Sequence, residues 1–188
     1  MKLAALIAIL AISAQAAEMS LRDVEGAAQR PLADVGQAAT VLIFLLHDCP
    51  IANSYAPEIS RIAEEYGKRR VRTYVVYSED DLSPADAKKH ATAYAYRCPA
   101  LLDSRQTLAQ KAGATISPEA ALFSAKGELL YRGRIDDRAI SPGKHRAEPR
   151  QRDLREALDA VLAGKPVRER FTKAIGCYLP EPSRTTHP

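Results

Sequence analysis

Thr40-Val-Leu-Ile-Phe-Leu-Leu46 is a seven-residue apolar run with the length and β-branched content of a buried strand, and His47-Asp48-Cys49-Pro50 ends it abruptly. Ile59, Ile62, Ala63 and Tyr66 then recur at helical spacing. A strand that turns into a helix through a Cys-Pro pair places a thiol against unpaired backbone N–H groups and the positive end of a helix dipole, both of which favour thiolate. Pro50 and the helix start predict that Cys49 is exposed there.

The rest of the chain alternates in kind. A helix is expected over about Asn53 to Gly67, where the glycine is a natural stop, and Val71-Arg-Thr-Tyr-Val-Val-Tyr77 reads as a second buried strand. Ser83, Pro84 and Asp86 supply an N-cap, a first-turn proline and a first-turn carboxylate for a helix running to about Tyr96. Pro99-Ala-Leu-Leu-Asp103 is a short strand, and Ser104 to Ala112 a helix ending at Gly113. Ala120-Ala-Leu-Phe123 and Glu128-Leu-Leu-Tyr-Arg-Gly-Arg134 form a hairpin across Ser124-Ala-Lys-Gly127. A final helix carries Leu154, Ala157, Leu158, Val161 and Leu162 on one face and stops at Gly164. Strands joined by helices, closed by an antiparallel hairpin and a helix, make one α/β domain: a central mixed sheet flanked by helices on both faces.

Met1-Lys2, an apolar stretch from Leu3 to Ile12 and the small residues of Ser13-Ala-Gln-Ala16 have the layout of a secretory signal peptide cut near Ala16. The apolar stretch is shorter than the ~18–20 residues a membrane span needs, so no span is expected in the mature chain, which is placed outside the cytoplasm, in the periplasm or medium. The expected organisation is a signal peptide over 1–16, one domain over 17–164 and a tail over 165–188. That tail carries Cys177 and prolines at 166, 180, 182 and 188, its last eight residues disordered. With 27 Lys and Arg against 23 Asp and Glu, the net charge of +4 is spread along the chain apart from a basic cluster between Lys144 and Arg155. No aromatic residues interleave that cluster, so nucleic acid is not an expected partner.

Cys49, Cys98 and Cys177 leave one odd thiol after any internal pairing. Cys98 sits beside an expected core strand, whereas Cys177 lies in a tail able to fold back over the domain. A sulfenate or mixed disulfide on Cys49 needs a second thiol to resolve it, and Cys177 is the better candidate.

With a cysteine at the first strand-to-helix junction, a proline before the hairpin and this element order, the chain resembles the thioredoxin superfamily. More narrowly, Asp48-Cys-Pro-Ile-Ala-Asn53, Ile116-Ser-Pro-Glu119, Tyr131-Arg-Gly-Arg-Ile-Asp-Asp137 and Ile175-Gly-Cys-Tyr178 resemble exported redoxins related to alkyl hydroperoxide reductase and thiol-specific antioxidant proteins. The resemblance implies a thioredoxin-like fold and an oxidoreductase whose redox-active thiol is Cys49. It implies a substrate surface of Pro50, Asn53, Ser117 and Pro118, with Pro118 cis and the Ser117 backbone open to an extended, thiol-bearing partner. Its partners would be a protein thiol or disulfide, or a peroxide, with an external thiol reductant, and it implies no cofactor.

Departures from the group narrow this. The second cysteine of thioredoxins, of copper-delivery relatives and of some peroxiredoxins would stand at 52, 53 or 54, which here are Ala, Asn and Ser. The proline and threonine that precede a peroxidatic cysteine are replaced by Leu42 and Leu46, and the peroxide-activating arginine by Ser117-Pro118. Peroxidase activity is therefore not assumed. Two other functions stay open: a Cu(I) or Zn site joining His47 and Cys49 with Cys177 or His145, and a redox-inactive binding module on the same fold. His90, beside Lys88 and Lys89, reads as solvated and His187 as tail. Asp136 and Asp137, adjacent on a strand end, point to opposite sides. They read as ion-pair partners of Arg132, Arg134 and Arg138 rather than a catalytic pair.

Overall fold

A computed structural model describes residues 19–181. The expected signal peptide and the last seven residues, with His187, lie outside the described residues. Two short strands, β1 (Leu21–Arg22) and β2 (Ala28–Gln29), pair with each other ahead of the main sheet.

β3 (Ala39–Leu45) is buried at every position, as its unbroken apolar character requires of a strand covered on both faces. It runs parallel to β4 (Val71–Tyr77), which is parallel to β5 (Ala100–Leu102). On its other side it is antiparallel to β7 (Glu119–Ser124), which pairs with β8 (Leu129–Gly133), giving the order β5-β4-β3-β7-β8. Val41, Ile43 and Leu45 face one layer, with Ile59, Ile62 and Tyr66 of α2 (Ala56–Gly67) and Leu154 and Leu158 of α5 (Asp153–Leu162). Leu42 and Phe44 face the other, with Leu108, Ala109 and Ala112 of α4 (Thr107–Ala112). The mixed sheet with helices on both faces is as expected. Among the described residues, no helix is long and apolar enough to cross a membrane.

Three boundaries differ from the expected ones for local reasons. The first helix begins at Pro50 rather than Asn53 and is split into α1 (Pro50–Ser54) and α2 at Tyr55. Pro57 has no N–H to give the Asn53 carbonyl, so the ladder breaks one residue before α2 starts. α3 (Pro84–Ala93) stops short of Tyr96 because Ala95 takes a left-handed backbone, with φ 50°, and the Tyr96 N–H returns to the Ala91 carbonyl at 3.2 Å. Glycine usually marks such a stop, and none stands there. α4 starts at Thr107 rather than Ser104, since the buried Asp103 carboxylate caps it by accepting from the N–H groups of Thr107, Leu108 and Ala109 at 2.8–3.0 Å.

The segment after α5 is a strap. The Thr172 N–H bonds the Arg132 carbonyl and the Arg132 N–H bonds the Arg170 carbonyl, at 3.1 and 2.8 Å, so the strap lies along β8. Further on, β11 (Cys177–Tyr178) pairs antiparallel with β6 (Ile116–Ser117). Two glycines permit the approach. A Cβ on Gly133 would overlap the Thr172 backbone, and one on Gly176 would overlap the Ser117 carbonyl.

Candidate active site at the α1 N-terminus

Cys49 is the N-cap residue of α1: its backbone is extended, with φ −78° and ψ 109°, and its carbonyl accepts the Asn53 N–H at 3.0 Å. Pro50 follows at the first helical position, where a missing N–H costs nothing. The loop bearing Cys49 is tied to the segment before β7, because the Leu46 N–H donates to Ser117 Oγ at 2.7 Å. Cys49 Sγ in turn donates to the Ser117 carbonyl oxygen at 3.2 Å. The Ser117–Pro118 peptide bond is cis, as the resemblance implied.

Two expectations about this surface need correction. Cys49 is not exposed; it is 1 % accessible and belongs to the hydrophobic core. Nor is the Ser117 edge open to a partner, because the chain's own Cys177 is in register with Ser117, and Tyr178 with Ile116. The cover is continued by the Leu179 N–H on the Thr115 carbonyl at 2.9 Å and by Gln106 Nε2 on the Pro180 carbonyl at 2.7 Å. Proline-rich sequence and a terminal position read as a loose tail, whereas backbone pairing holds it. The informative signal was Gly176 immediately before the cysteine, the residue type that lets two backbones touch.

The strap brings Cys177 to Cys49. Both thiols are free, and Cys177 is half-buried. Its thiol is pushed up to about 12 by burial, then by the hydrogen bond and charge of the adjoining Cys49 sulfur. Cys98 is pushed up to about 12 by burial, and it lies beside Ala63 of α2 and Thr73 and Tyr74 of β4.

Beside the thiols lies a polar chain built from three elements. Glu79, after β4, accepts from the His47 N–H at 3.0 Å and holds His47 Nδ1 at 2.6 Å. That hydrogen bond raises the His47 pKa above 6.5 against the lowering effect of partial burial. Asn53 donates through Nδ2 to the His47 carbonyl at 3.0 Å, and its Oδ1 meets His90 Nε2 at 2.9 Å. His90 Nδ1 reaches the Tyr77 hydroxyl at 2.7 Å. His90 is therefore not solvated: it is half-buried, and burial lowers its pKa. Lys88 and Lys89, which precede it, are exposed, whereas His90 turns toward Asn53 and Tyr77. Asn53, expected at the substrate surface, has both ends of its amide engaged within this chain of contacts.

Asp136 and Asp137 are buried, and none of the expected arginines pairs with them through its guanidinium. Asp136 Oδ1 accepts the Tyr55 hydroxyl at 2.6 Å and the Arg138 N–H at 2.9 Å. Asp137 Oδ1 takes the N–H groups of Arg150 and Gln151 at 2.7 and 3.0 Å, and Arg146 lies 3.4 Å from its other oxygen. Arg132 turns to Glu119 at 3.4 Å, and Arg134 binds Asp153 at 2.8 Å. Ion pairing does tie the hairpin to the loop and helix after it, through different acids.

Among the described residues, the cluster of ligand atoms close enough to share a cation is His47, Asp48 and Glu79, and it contains neither cysteine. His145 lies across α1 in a separate hairpin of β9 (Ala139–Ser141) and β10 (Lys144–His145). The soft-ligand metal reading thus does not gain the geometry it needs.

Two solved structures resemble the whole domain. An uncharacterized conserved protein from Geobacillus kaustophilus is 30 % identical, with 85 % of this chain and 86 % of that one covered and a TM-score of 0.73. A hypothetical protein from Sinorhizobium meliloti 1021 is 28 % identical over 87 % of this chain and 91 % of that one, with a TM-score of 0.75. The pneumococcal exposed lipoprotein thioredoxin of Streptococcus pneumoniae strain TIGR4 is 27 % identical over 62 % of this chain and 87 % of that one, with a TM-score of 0.54. No curated protein matches. The fold is thioredoxin-like, and since residues 12–132, which include Cys49, Ser117 and Pro118, match the AhpC/TSA family, the chain belongs to that family.

Proposed function

We propose that this protein is an exported thiol–disulfide oxidoreductase in which Cys49 is the nucleophile and Cys177 the resolving thiol. One observation carries the reading: Cys49 Sγ and the Cys177 strand converge on the same Ser117 carbonyl. A missing neighbour at positions 52–54 is thereby supplied from the C-terminal strap. Membership of the AhpC/TSA family and likeness to an exposed thioredoxin support thiol chemistry, and the signal-like residues 1–16 support export.

In the reductive direction, the Cys49 thiolate attacks one sulfur of a partner disulfide. The partner's second sulfur leaves as thiolate and takes up a proton. Cys177, deprotonated as it attacks, displaces the partner's first sulfur from Cys49. The partner gains two electrons and two protons, and the chain is left with a Cys49–Cys177 disulfide. An external dithiol returns it to the reduced form by the reverse exchange. Burial holds the proton on Cys177, which suits a thiol that acts second.

Family membership favours a second oxidant, a hydroperoxide. Cys49 would then take the terminal oxygen, releasing an alcohol or water. Condensation of the sulfenate with Cys177 would release water and give the same disulfide. Arg132 on β8 and Arg134 just after it are committed to Glu119 and Asp153, so peroxide activation by them is not supported.

The test is peptide mapping after trapping free thiols, on protein oxidised with a disulfide substrate or with hydrogen peroxide. The expected result is a Cys49–Cys177 linkage, lost in Cys49→Ser. Oxidised protein in which both thiols stay free overturns the assignment. Turnover of the disulfide substrate without peroxide consumption would separate the two oxidants. Wild-type turnover no greater than that of Cys49→Ser would leave a binding module only.

A further inference from the structure

A groove of about 340 Å³ runs between α1 and the β9–β10 hairpin, starting at Pro50, the residue next to Cys49. That places it within the ~300–1,000 Å³ of ordinary binding clefts. Its walls are chiefly apolar: Pro50, Ile51 and the Tyr55 ring on the helix side, Ala139 and Gly143 on the hairpin side. Arg138, Lys144 and His145 complete it, and no carboxylate lines it.

Among the described residues, Arg138 and Lys144 have no carboxylate at ion-pair distance. The Arg138 guanidinium lies 4.4 Å over the Tyr55 ring and donates to the neutral Ser54 carbonyl at 2.8 Å, which fixes it between this groove and an adjoining cleft that Glu58, Asp136 and Glu148 line. Lys144 is exposed on β10. By contrast, the next cation, Arg146, already faces Asp137. The Ser117 edge on the other side of Cys49 is filled by the strap, so α1 leaves this groove as the open approach to the thiol's helix.

The geometry points to a docking site for an extended segment of a protein partner, in which an apolar side chain is flanked by acidic residues. We infer that such a segment, lying near the partner's own cysteine, seats its apolar side chain against Ile51 and Tyr55 and its carboxylates on Arg138 and Lys144. This rests on the oxidoreductase reading for its use, but the docking itself needs no sulfur chemistry. An apolar floor supplies most of the affinity, while the cations select the partner and speed encounter.

The test uses full-length protein and a fluorescent, cysteine-free peptide of about ten residues with leucine between glutamates, beside a control with lysines in their place. Anisotropy should show binding of the acidic peptide alone, weakening as salt rises from about 0.05 to 0.5 M. Lys144→Glu should weaken it about tenfold and shift preference to the lysine peptide, with an unchanged circular dichroism spectrum. Equal binding of both peptides, or none, overturns the inference, as does a Lys144→Glu variant that binds like wild type. Ile51→Glu tests the apolar floor independently and should also abolish binding; retained binding counts against the site. Since the probe carries no thiol, its failure to bind leaves the Cys49–Cys177 linkage to be decided by mapping, and a missing linkage leaves docking intact.

Discussion

Gly176 lies so close to the Ser117 carbonyl that a Cβ at 176 would overlap it, and that contact holds the Cys177 strand over Cys49. The edge of β6 is filled by the chain itself, so the strap both covers Cys49 and carries Cys177. An external partner reaches Cys49 only when this pairing opens.

Gly176→Ala should therefore loosen β11 without touching the sheet. The expected outcome is alkylation of Cys49 faster by about tenfold or more, with slower Cys49–Cys177 disulfide formation. Stability should fall by about 1–3 kcal/mol, the usual cost of an added methyl where none fits. Mass spectrometry of timed alkylation and thermal melts measure both. Unchanged alkylation would mean that the strap does not gate the thiol.

His47 should titrate above 6.5, because Glu79 stabilises its charged form. A raised folded pKa contributes stability that is fully present below 6.5 and is lost as pH rises through the folded value. The His47 side chain is 43 % exposed, so solvent screening keeps the contribution to about 1 kcal/mol or less. Imidazole NMR shifts across pH 5–9 follow it, and Glu79→Gln should bring the midpoint down.

The elements legible in the sequence were those whose signal is local. β3 and β4 announce themselves as unbroken apolar runs, Ser83 with Pro84 opens α3, and Leu154 to Leu162 repeat at helical spacing. The place of Cys49 between β3 and α1 was legible because the apolar run ends there and Pro50 opens a helix, both local signals. What stayed hidden depends on distant partners. The burial of Cys49 comes from residues 128 positions away, and two-residue strands such as β6 and β11 have no periodicity to read. His90 was misjudged because its lysine neighbours speak for one side of the helix, while Asn53 and Tyr77 approach from the other. Asp136 and Asp137 were read by nearness in sequence, whereas α1–α2 and the loop before α5 supply their partners.

Cys98 should be inert under conditions that label the reactive pair. Burial pushes its thiol up to about 12, so almost none is thiolate at pH 8. Cys98→Ser should leave both the oxidised peptide map and the rate of disulfide formation unchanged. A mixed map in which Cys98 replaces Cys177 would reassign the resolving thiol.

Glu58 on α2 ties the two helices of one layer together, taking Arg155 Nε of α5 at 2.7 Å and, within α2, Arg61 Nε at 2.8 Å. Burial pushes the Glu58 pKa up, but these two hydrogen bonds outweigh it and hold it below the ordinary value of 4.5. A depressed carboxylate contributes stability above its unfolded pKa and loses it as pH falls through the folded value, so this contact should fail only below pH 4.5. Glu58→Gln removes that acid-dependent step and strands Arg155 with Glu65 alone. Breaking a buried pair typically costs ~3–5 kcal/mol, and the surviving Glu65 contact places this variant at the lower end, about 3 kcal/mol at pH 7. Urea melts at pH 7 and pH 4 resolve the two effects: the deficit should shrink at the lower pH, and a deficit that is equal at both would show that packing rather than charge holds α2 to α5.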